Sequence, residues 1–125
     1  MTRGSIIYRI RDDIVILDPN SRECLSDDDG LQPVVRTLSE HGHTKFLLDL
    51  RQIPYIDSTC LGGLARTSLT ITQRGGQLKL VNVAKRVRDL LRITRLAPAF
   101  EVFDSEEEAI RSFDPPLLPG SPVQS

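Results

Sequence analysis

The sequence has little cysteine, almost no net charge and no extended apolar segment. Its formal net charge is −1, so no excess of either sign can drive nonspecific binding to nucleic acid or to an acidic membrane surface. Cys24 and Cys60 share no C-x-x-C spacing and fall short of the tetrahedral ligand set of a typical closed zinc site. We therefore expect reduced thiols, no metal, no cofactor and no direct contact with nucleic acid.

The lack of long apolar runs indicates where in the cell the protein lies, and the chain length indicates how many domains it forms. No segment approaches the roughly 20 apolar residues that span a bilayer, and the start "MTRGSIIYRIRDDI" lacks the apolar core of a secretory signal. We expect a cytoplasmic protein that makes no membrane contact. The 125 residues can bury one core, and their apolar and charged fractions are typical of a single globular domain.

Short apolar runs alternate with amphipathic stretches in the first half of the chain. The runs "SIIYRI" and "DIVILD", separated by "RDD", predict a tight antiparallel hairpin. Leu31, Val34, Val35 and Leu38 recur at helical spacing and predict a first helix over about residues 28–41, with the acidic "DDD" favourable at its N-terminus. The run "KFLLDL" has too few polar residues for a half-exposed strand, so it is expected at the centre of the sheet.

The second half continues the alternation. A second helix is predicted to start at Ser58 and to end at "RGG"; one face is expected to contain Leu61, Leu64, Ala65, Ser68, Leu69 and Thr72. Then follow a strand in "QLKLVNV", a short basic helix that stops before Pro98, a strand in "FEVF" and a helix in "SEEEAIRSF" whose first residues fit a capping box. The proline-rich residues 114–125 have no periodic apolar face. We predict a domain over residues 1–113 and a disordered tail over 114–125.

The stretch "IDSTCLGGL" places an acid, two hydroxyls and a thiol between a buried strand and a helix. A catalytic nucleophile, a phosphate-binding loop and a hydroxyl that another protein modifies are the three hypotheses. The stretch has neither the lysine and glycine spacing of a Walker A loop nor the G-x-S-x-G nucleophile elbow. His41 and His43 lie on a different connection, which does not favour a Ser-His-Asp triad. We therefore expect no enzyme activity.

The predicted order β-β-α-β-α-β-α-β-α and two long stretches point to a known family. "LLDLRQIPYIDSTCLGGL" and "GGQLKLVNVAKRVRDLLRITRLAPAFEVFDSEEEAI" resemble the STAS domain of bacterial anti-sigma factor antagonists. The resemblance implies an α/β protein with the STAS fold, a small mixed β-sheet of four to five strands with about four α-helices.

The same resemblance implies regulation by partner switching. The unphosphorylated antagonist binds an anti-sigma factor that is itself a serine/threonine kinase and so frees a sigma factor; the kinase then phosphorylates the antagonist, and a phosphatase reverses the step. By the family's register the modified hydroxyl is that of Thr59, with Ser58 as the fallback. The implied partner-binding residues are Asp18, Asp57, Ser58, Thr59, Cys60, Leu61, Gly62 and Gly63. The expected state is a monomer or weak dimer.

Physical reasoning agrees with a modified hydroxyl at this place. A hydroxyl in the first turn of a helix lies beside backbone N–H groups that have no acceptor within the helix, so an added phosphate finds donors and a favourable dipole. The added charge and bulk would weaken partner binding without unfolding the domain. Asp57 can cap the helix, and Asp49, inside an apolar strand, is expected in a structural network. A small-molecule-sensing or redox-sensing domain using Cys60, and a stressosome-type scaffold subunit, remain as alternatives.

Overall fold

A computed structural model describes residues 6–20, 25, 30–94 and 100–113, which form five strands and four helices. The elements alternate in the predicted order. In sequence they are β1 (Ile6–Arg11), β2 (Ile14–Pro19), α1 (Leu31–Glu40), β3 (Lys45–Asp49), α2 (Ser58–Gln73), β4 (Gln77–Val81), α3 (Lys85–Ile93), β5 (Glu101–Phe103) and α4 (Glu106–Ser112). The predicted fold class, a small mixed sheet with four helices, is confirmed.

The five strands form one sheet in the order β1-β2-β3-β4-β5. β1 and β2 form the predicted antiparallel hairpin, and the turn uses Asp12 (φ 51°) and Asp13 (φ 72°) in the left-handed region that tight hairpins need. β2, β3, β4 and β5 are parallel to one another. β3 therefore lies at the centre, as its apolar sequence predicts.

Alternate residues of the strands feed two separate apolar clusters on opposite faces of the sheet. The larger cluster joins the sheet to α1, α2 and α3; its strand residues include Val15, Leu17, Phe46, Leu48 and Leu80. The smaller cluster lies under α4 and contains Ile14, Ile16, Leu47, Val81, Ala109 and Phe113. α2 and α4 therefore pack on opposite sides of β3.

A buried lysine secures the end of α4 to the sheet. Lys79 of β4 is 7% exposed, and its ammonium donates to the carbonyl and the hydroxyl of Ser112, each at 3.0 Å. The same ammonium pairs with Glu101 at 2.9 Å and lies 4.7 Å from the ring centroid of Phe113. These contacts compensate the charge that burial would otherwise penalise.

The first turn of α4 is tied to the edge strand. Ser105 caps the helix by accepting from the backbone N–H of Glu108 at 3.2 Å, as the capping-box sequence predicts. Glu106 accepts from Arg9 at 2.8 Å and from Arg11 at 2.8 Å. The hydrogen bond from Arg9, with that from Arg11, lowers the pKa of Glu106 to about 2 against the opposing effect of burial.

The turn between α2 and β4 needs glycine for two different reasons. Gly75 has φ 81°, the left-handed conformation predicted for the end of this helix. Gly76 lies against the preceding connection, because a Cβ there would be 2.5 Å from the carbonyl oxygen of Thr44 and 2.9 Å from Cγ2 of Ile71. The backbone thus approaches another segment more closely than any side chain at position 76 would permit.

Two details of the helices differ from the sequence prediction. α1 begins at Leu31, after Gly30 with φ 101°, and not near residue 28. On α2, Leu69 is 55% exposed and does not join the core. Thr67 and Ile71 take the buried positions instead. A threonine can do so because its hydroxyl donates to the carbonyl of Gly63 at 2.9 Å.

Several predictions fall outside the described residues. They are Cys24, the acidic run at 27–29, and the tail at 114–125. The division into a domain over 1–113 and a tail stays a prediction.

Candidate functional site

The motif IDSTCLGGL, residues 56–64, lies near the carboxyl ends of three parallel strands. β2, β3 and β4 run in the same direction, so their carboxyl ends share one edge of the sheet. Asp18 lies near the end of β2, Asp49 closes β3 and Asn82 directly follows β4. Residues 50–57 connect β3 to α2 at this edge. The first turn of α2 therefore stands beside the polar residues that end the strands.

The connection between β3 and α2 is held by buried side chains. Leu50, Ile53 and Ile56 are each at most 1% exposed, and the backbone N–H of Leu50 donates to the carbonyl of Val81 at 3.0 Å. The intervening residues, Arg51, Gln52, Pro54 and Tyr55, are exposed. The connection is thus packed against the core on one side, and this fixes where α2 begins.

Asp57 caps the first turn of α2. Its backbone is extended (φ −112°, ψ −174°), and its carboxylate accepts from the backbone N–H of Cys60 at 3.0 Å. Its carbonyl accepts the first helical hydrogen bond, from Leu61 at 2.9 Å. This is the cap that the sequence predicts for Asp57. Because Asp57 occupies the cap, neither following hydroxyl is needed for that role.

The first two turns of α2 divide into an exposed and a buried face. Ser58 and Thr59 are exposed, and Gly62 is half-buried. The remaining motif residues point to the core: Cys60 (3% exposed), Leu61 (9%) and buried Gly63. Both hydroxyls, and not one alone, are accessible to another protein.

A charged network lies at the carboxyl ends of β3 and β4. Asp49 is 1% exposed and accepts from the backbone N–H of Arg51 at 3.0 Å and from its guanidinium at 2.8 Å. The side chain of Asn82 donates to the same carboxylate at 3.2 Å. Hydrogen bonding to Asp49 raises the pKa of Arg51 above its ordinary value. The structural network expected for Asp49 is present.

A second contact joins the ends of β2 and β3. The amide of Gln52 donates to Asp18 at 3.2 Å, across 34 residues of sequence. Asp18 is half-buried and, being near the carboxyl end of β2, lies at the same edge of the sheet as residues 50–57. The role of Asp18 as a partner contact, which the family resemblance implies, stays a prediction.

The basic helix α3 contacts the connection between β3 and α2 through the ring of Tyr55. The guanidinium of Arg86 lies 5.6 Å from the ring centroid of Tyr55, which is 45% exposed. Much of the remaining charge of α3 is paired locally, since Lys85 and Arg92 contact Asp89 at 3.0 and 3.4 Å. The helix is consequently a weaker basic surface than its sequence suggests.

The histidines that a catalytic triad would need, and a surface groove, lie away from the motif. His41 and His43 follow α1 and precede β3, so they lie at the amino edge of the sheet, about 16 Å from the motif by the length of a five-residue strand. A groove of about 270 Å³ lies between β1 and α1, lined by Tyr8, Pro33, Val34, Thr37 and Leu38. Within the described ranges, no group of three or more His, Cys, Asp or Glu side chains could hold a metal ion.

Among the described residues, no helix combines the length and the apolar character that crossing a membrane requires.

Sequence reasoning missed three residues at this site. Arg66 lies over Gly62, with Nη2 3.7 Å from the place of a Cβ at that glycine. Asn82 adopts φ 58° and donates to the buried Asp49. Tyr55 stacks with α3. Only Arg66 had a sequence signal, because a residue four positions after a helical glycine lies on the same face.

Comparison with known proteins gives one consistent result. A family model described as "STAS domain" matches residues 5–109. A protein of Thermotoga neapolitana, named "Putative anti-sigma factor antagonist TM1081 homolog", is 31% identical over 104 residues, which are 82% of this chain and 92% of that protein.

Solved structures have the same architecture. The crystal structure of a protein from Thermotoga maritima, titled as a putative anti-sigma factor antagonist, has a TM-score of 0.66 and 26% identity, and the match covers 85% of this chain and 92% of that one. An anti-sigma factor antagonist from Mycobacterium paratuberculosis has a TM-score of 0.68 at 15% identity, covering 87% and 92% of the two chains, and shows the fold alone.

Proposed function

Because the chain belongs to the STAS domain family, we propose that it is an anti-sigma factor antagonist controlled by phosphorylation of Thr59. In its unmodified form it binds an anti-sigma factor that has serine/threonine kinase activity, and this binding frees a sigma factor for transcription. The names of the Thermotoga relatives support the antagonist role. A cytoplasmic monomer or weak dimer would suit it.

The observation that carries the proposal is the exposed hydroxyl pair on the first turn of a capped helix. A kinase must reach its acceptor, and both Ser58 and Thr59 are accessible. In the modification, Oγ1 of Thr59 forms a bond to the γ-phosphorus of ATP, loses its proton and displaces ADP. A phosphatase would return the hydroxyl by hydrolysis.

The placement also explains how one phosphate can end partner binding. It adds about −1.5 to −2 charge at neutral pH to a surface that must pack against a protein. The carboxylate of Asp57 already caps the helix and lies in the same turn, so the first turn becomes strongly anionic. The buried apolar contacts of α2 do not involve Thr59, so the fold would persist.

The remaining candidate residues divide into two roles. Asp57, Ser58, Thr59, half-buried Gly62 and Asp18 offer surface that a partner can touch. Cys60, Leu61 and Gly63 are buried and would act by holding the helix in place. The redox alternative has less support, because Cys60 is 3% exposed and a reactive thiolate needs access.

The test is kinase treatment of three variants followed by site-resolved mass spectrometry. Thr59→Ala should abolish phosphorylation and keep partner binding, whereas Ser58→Ala should retain phosphorylation. Thr59→Glu should weaken binding only in part, since a carboxylate carries less charge than a phosphate. Phosphate on Ser58 of the wild type, or undiminished incorporation in Thr59→Ala, would refute the assignment to Thr59.

A further inference from the structure

An arginine of α2 folds back toward the start of its own helix. Arg66 is exposed, and its Nη2 lies 3.7 Å from where a Cβ of Gly62 would stand. Long side chains on helices lean toward the N-terminus, so this orientation is the ordinary one for a residue four positions further along. The guanidinium therefore lies at the level of Gly62, one turn before its own Cα.

Thr59 lies on the same face of the helix. At about 100° per residue, Thr59 and Arg66 differ by about 20° around the helix axis, and Gly62 lies within about 60° of both. The rise from Thr59 to Gly62 is about 4.5 Å. Since residue 62 is glycine, it places no side chain between the guanidinium and the hydroxyl.

We propose that Arg66 binds the phosphate of the modified chain, donating from its guanidinium to a phosphothreonine oxygen across Gly62. The inference rests on the proposed function, which makes Thr59 the acceptor. A phosphate extends the threonine side chain by one phosphorus and one oxygen, and so brings its acceptors closer to the guanidinium. Arg–phosphate hydrogen bonds are charge-assisted and often bidentate, and guanidinium is more weakly hydrated than ammonium.

The hydrogen bond from Arg66 determines where the phosphate lies. Held by Arg66, it lies beside Gly62 on the exposed face of α2. The modification then adds bulk to the face that a partner would approach, in addition to changing its charge. Because the positive group comes from the same helix, the phosphate is stabilised without any rearrangement of the fold.

The test measures the second pKa of the phosphate by ³¹P NMR, in protein with phosphothreonine installed at position 59 by genetic code expansion. A nearby cation favours the dianion and lowers this pKa. Arg66→Gln should therefore raise it by about 0.3 units or more at low ionic strength, and the difference should shrink in about 1 M salt. Arg74→Gln, an exposed arginine at the other end of α2, is the matched control and should leave it unchanged.

A second variant hinders the approach of the guanidinium to the phosphate and keeps the positive charge of Arg66. Gly62→Val adds two methyl groups to a Cβ that would itself lie 3.7 Å from Nη2 of Arg66, so the branched side chain crowds the guanidinium and should raise the phosphate pKa as Arg66→Gln does. Equal phosphate pKa values in the wild type and Arg66→Gln overturn the role of Arg66. Because the phosphate is installed during translation, this result is independent of any kinase, whereas failure of the kinase to modify Thr59 refutes the proposed function alone.

Discussion

The ion pair between α4 and the edge strand predicts how stability depends on pH. Glu106 lies 2.8 Å from both Arg9 and Arg11, and 17% of its side chain is exposed. Its pKa is lowered from 4.5 to about 2, with the hydrogen bond from Arg9 as the largest cause. A carboxyl whose pKa falls on folding stabilises the folded state above its unfolded pKa, and this contribution is lost as the pH drops toward the folded pKa.

The magnitude follows from the shift and the exposure of the partners. A change from 4.5 to about 2 corresponds to about 3.4 kcal/mol at neutral pH if it is fully transmitted to folding. The side chains of Arg9 and Arg11 are 53% and 42% exposed, so solvent screening reduces this to about 1–2 kcal/mol. Less than about half of the contribution remains at about pH 3, within the window that the two pKa values define.

Urea unfolding of Glu106→Gln at pH 7 and at pH 3 tests the reasoning. We expect the variant to lose about 1–2 kcal/mol of unfolding free energy at pH 7 and less than half of that at pH 3. Glu107→Gln is the matched control, because it lies in the same first turn but is 69% exposed and 3.8 Å from Arg11. It should lose less than about 0.5 kcal/mol. An equal loss for Glu106→Gln at both pH values would refute the account.

Three further stability predictions can be measured by urea or thermal unfolding. Asp57→Ala should cost about 1 kcal/mol of unfolding free energy by removing the cap of α2, whereas Ser58→Ala should cost less than about 0.5 kcal/mol. The reverse order would show that Asp57 is not the cap. Gly76→Ala should cost about 2 kcal/mol or more, because its Cβ would lie 2.5 Å from a carbonyl oxygen, while Gly42→Ala, with φ 97° and open space, should cost about 1 kcal/mol. Asp49→Asn should cost about 1–2 kcal/mol, since it weakens the five hydrogen bonds that a buried carboxylate accepts from Arg51 and Asn82, and an unchanged midpoint would contradict the network.

Local patterns were sufficient to predict the order of strands and helices along the chain, whereas the mixed sheet of the STAS fold was implied by the family resemblance. The two β-branched runs around "RDD" form the antiparallel hairpin, and the apolar "KFLLDL" is the central strand because both of its faces are covered. The error on α2 has a local cause too. Periodicity places Leu69 on one helical face with Leu61 and Leu64, but Leu69 is exposed, and Thr67, whose hydroxyl donates within the helix, takes the buried position.

Contacts distant in sequence were beyond such reasoning. Arg9 meets Glu106 across 97 residues, and Gln52 meets Asp18 across 34. Periodicity places each residue on a face of its own element but does not say which side chain of another element it will meet. The hydroxyl pair of the candidate site was found because its motif is contiguous, whereas the supporting Asn82 lies at the end of another strand.

Neighbouring residues of β3 belong to different apolar clusters and so support different helices. Leu47 belongs to the cluster under α4, whereas Phe46 and Leu48 belong to the cluster under α2. A substitution at Leu47 therefore acts first on the helix that lies away from the candidate interface, and one at either neighbour acts first on the helix that contains it. Adjacent positions of one strand therefore support different helices, and substitutions at Leu47 and at Leu48 should loosen different parts of the domain first.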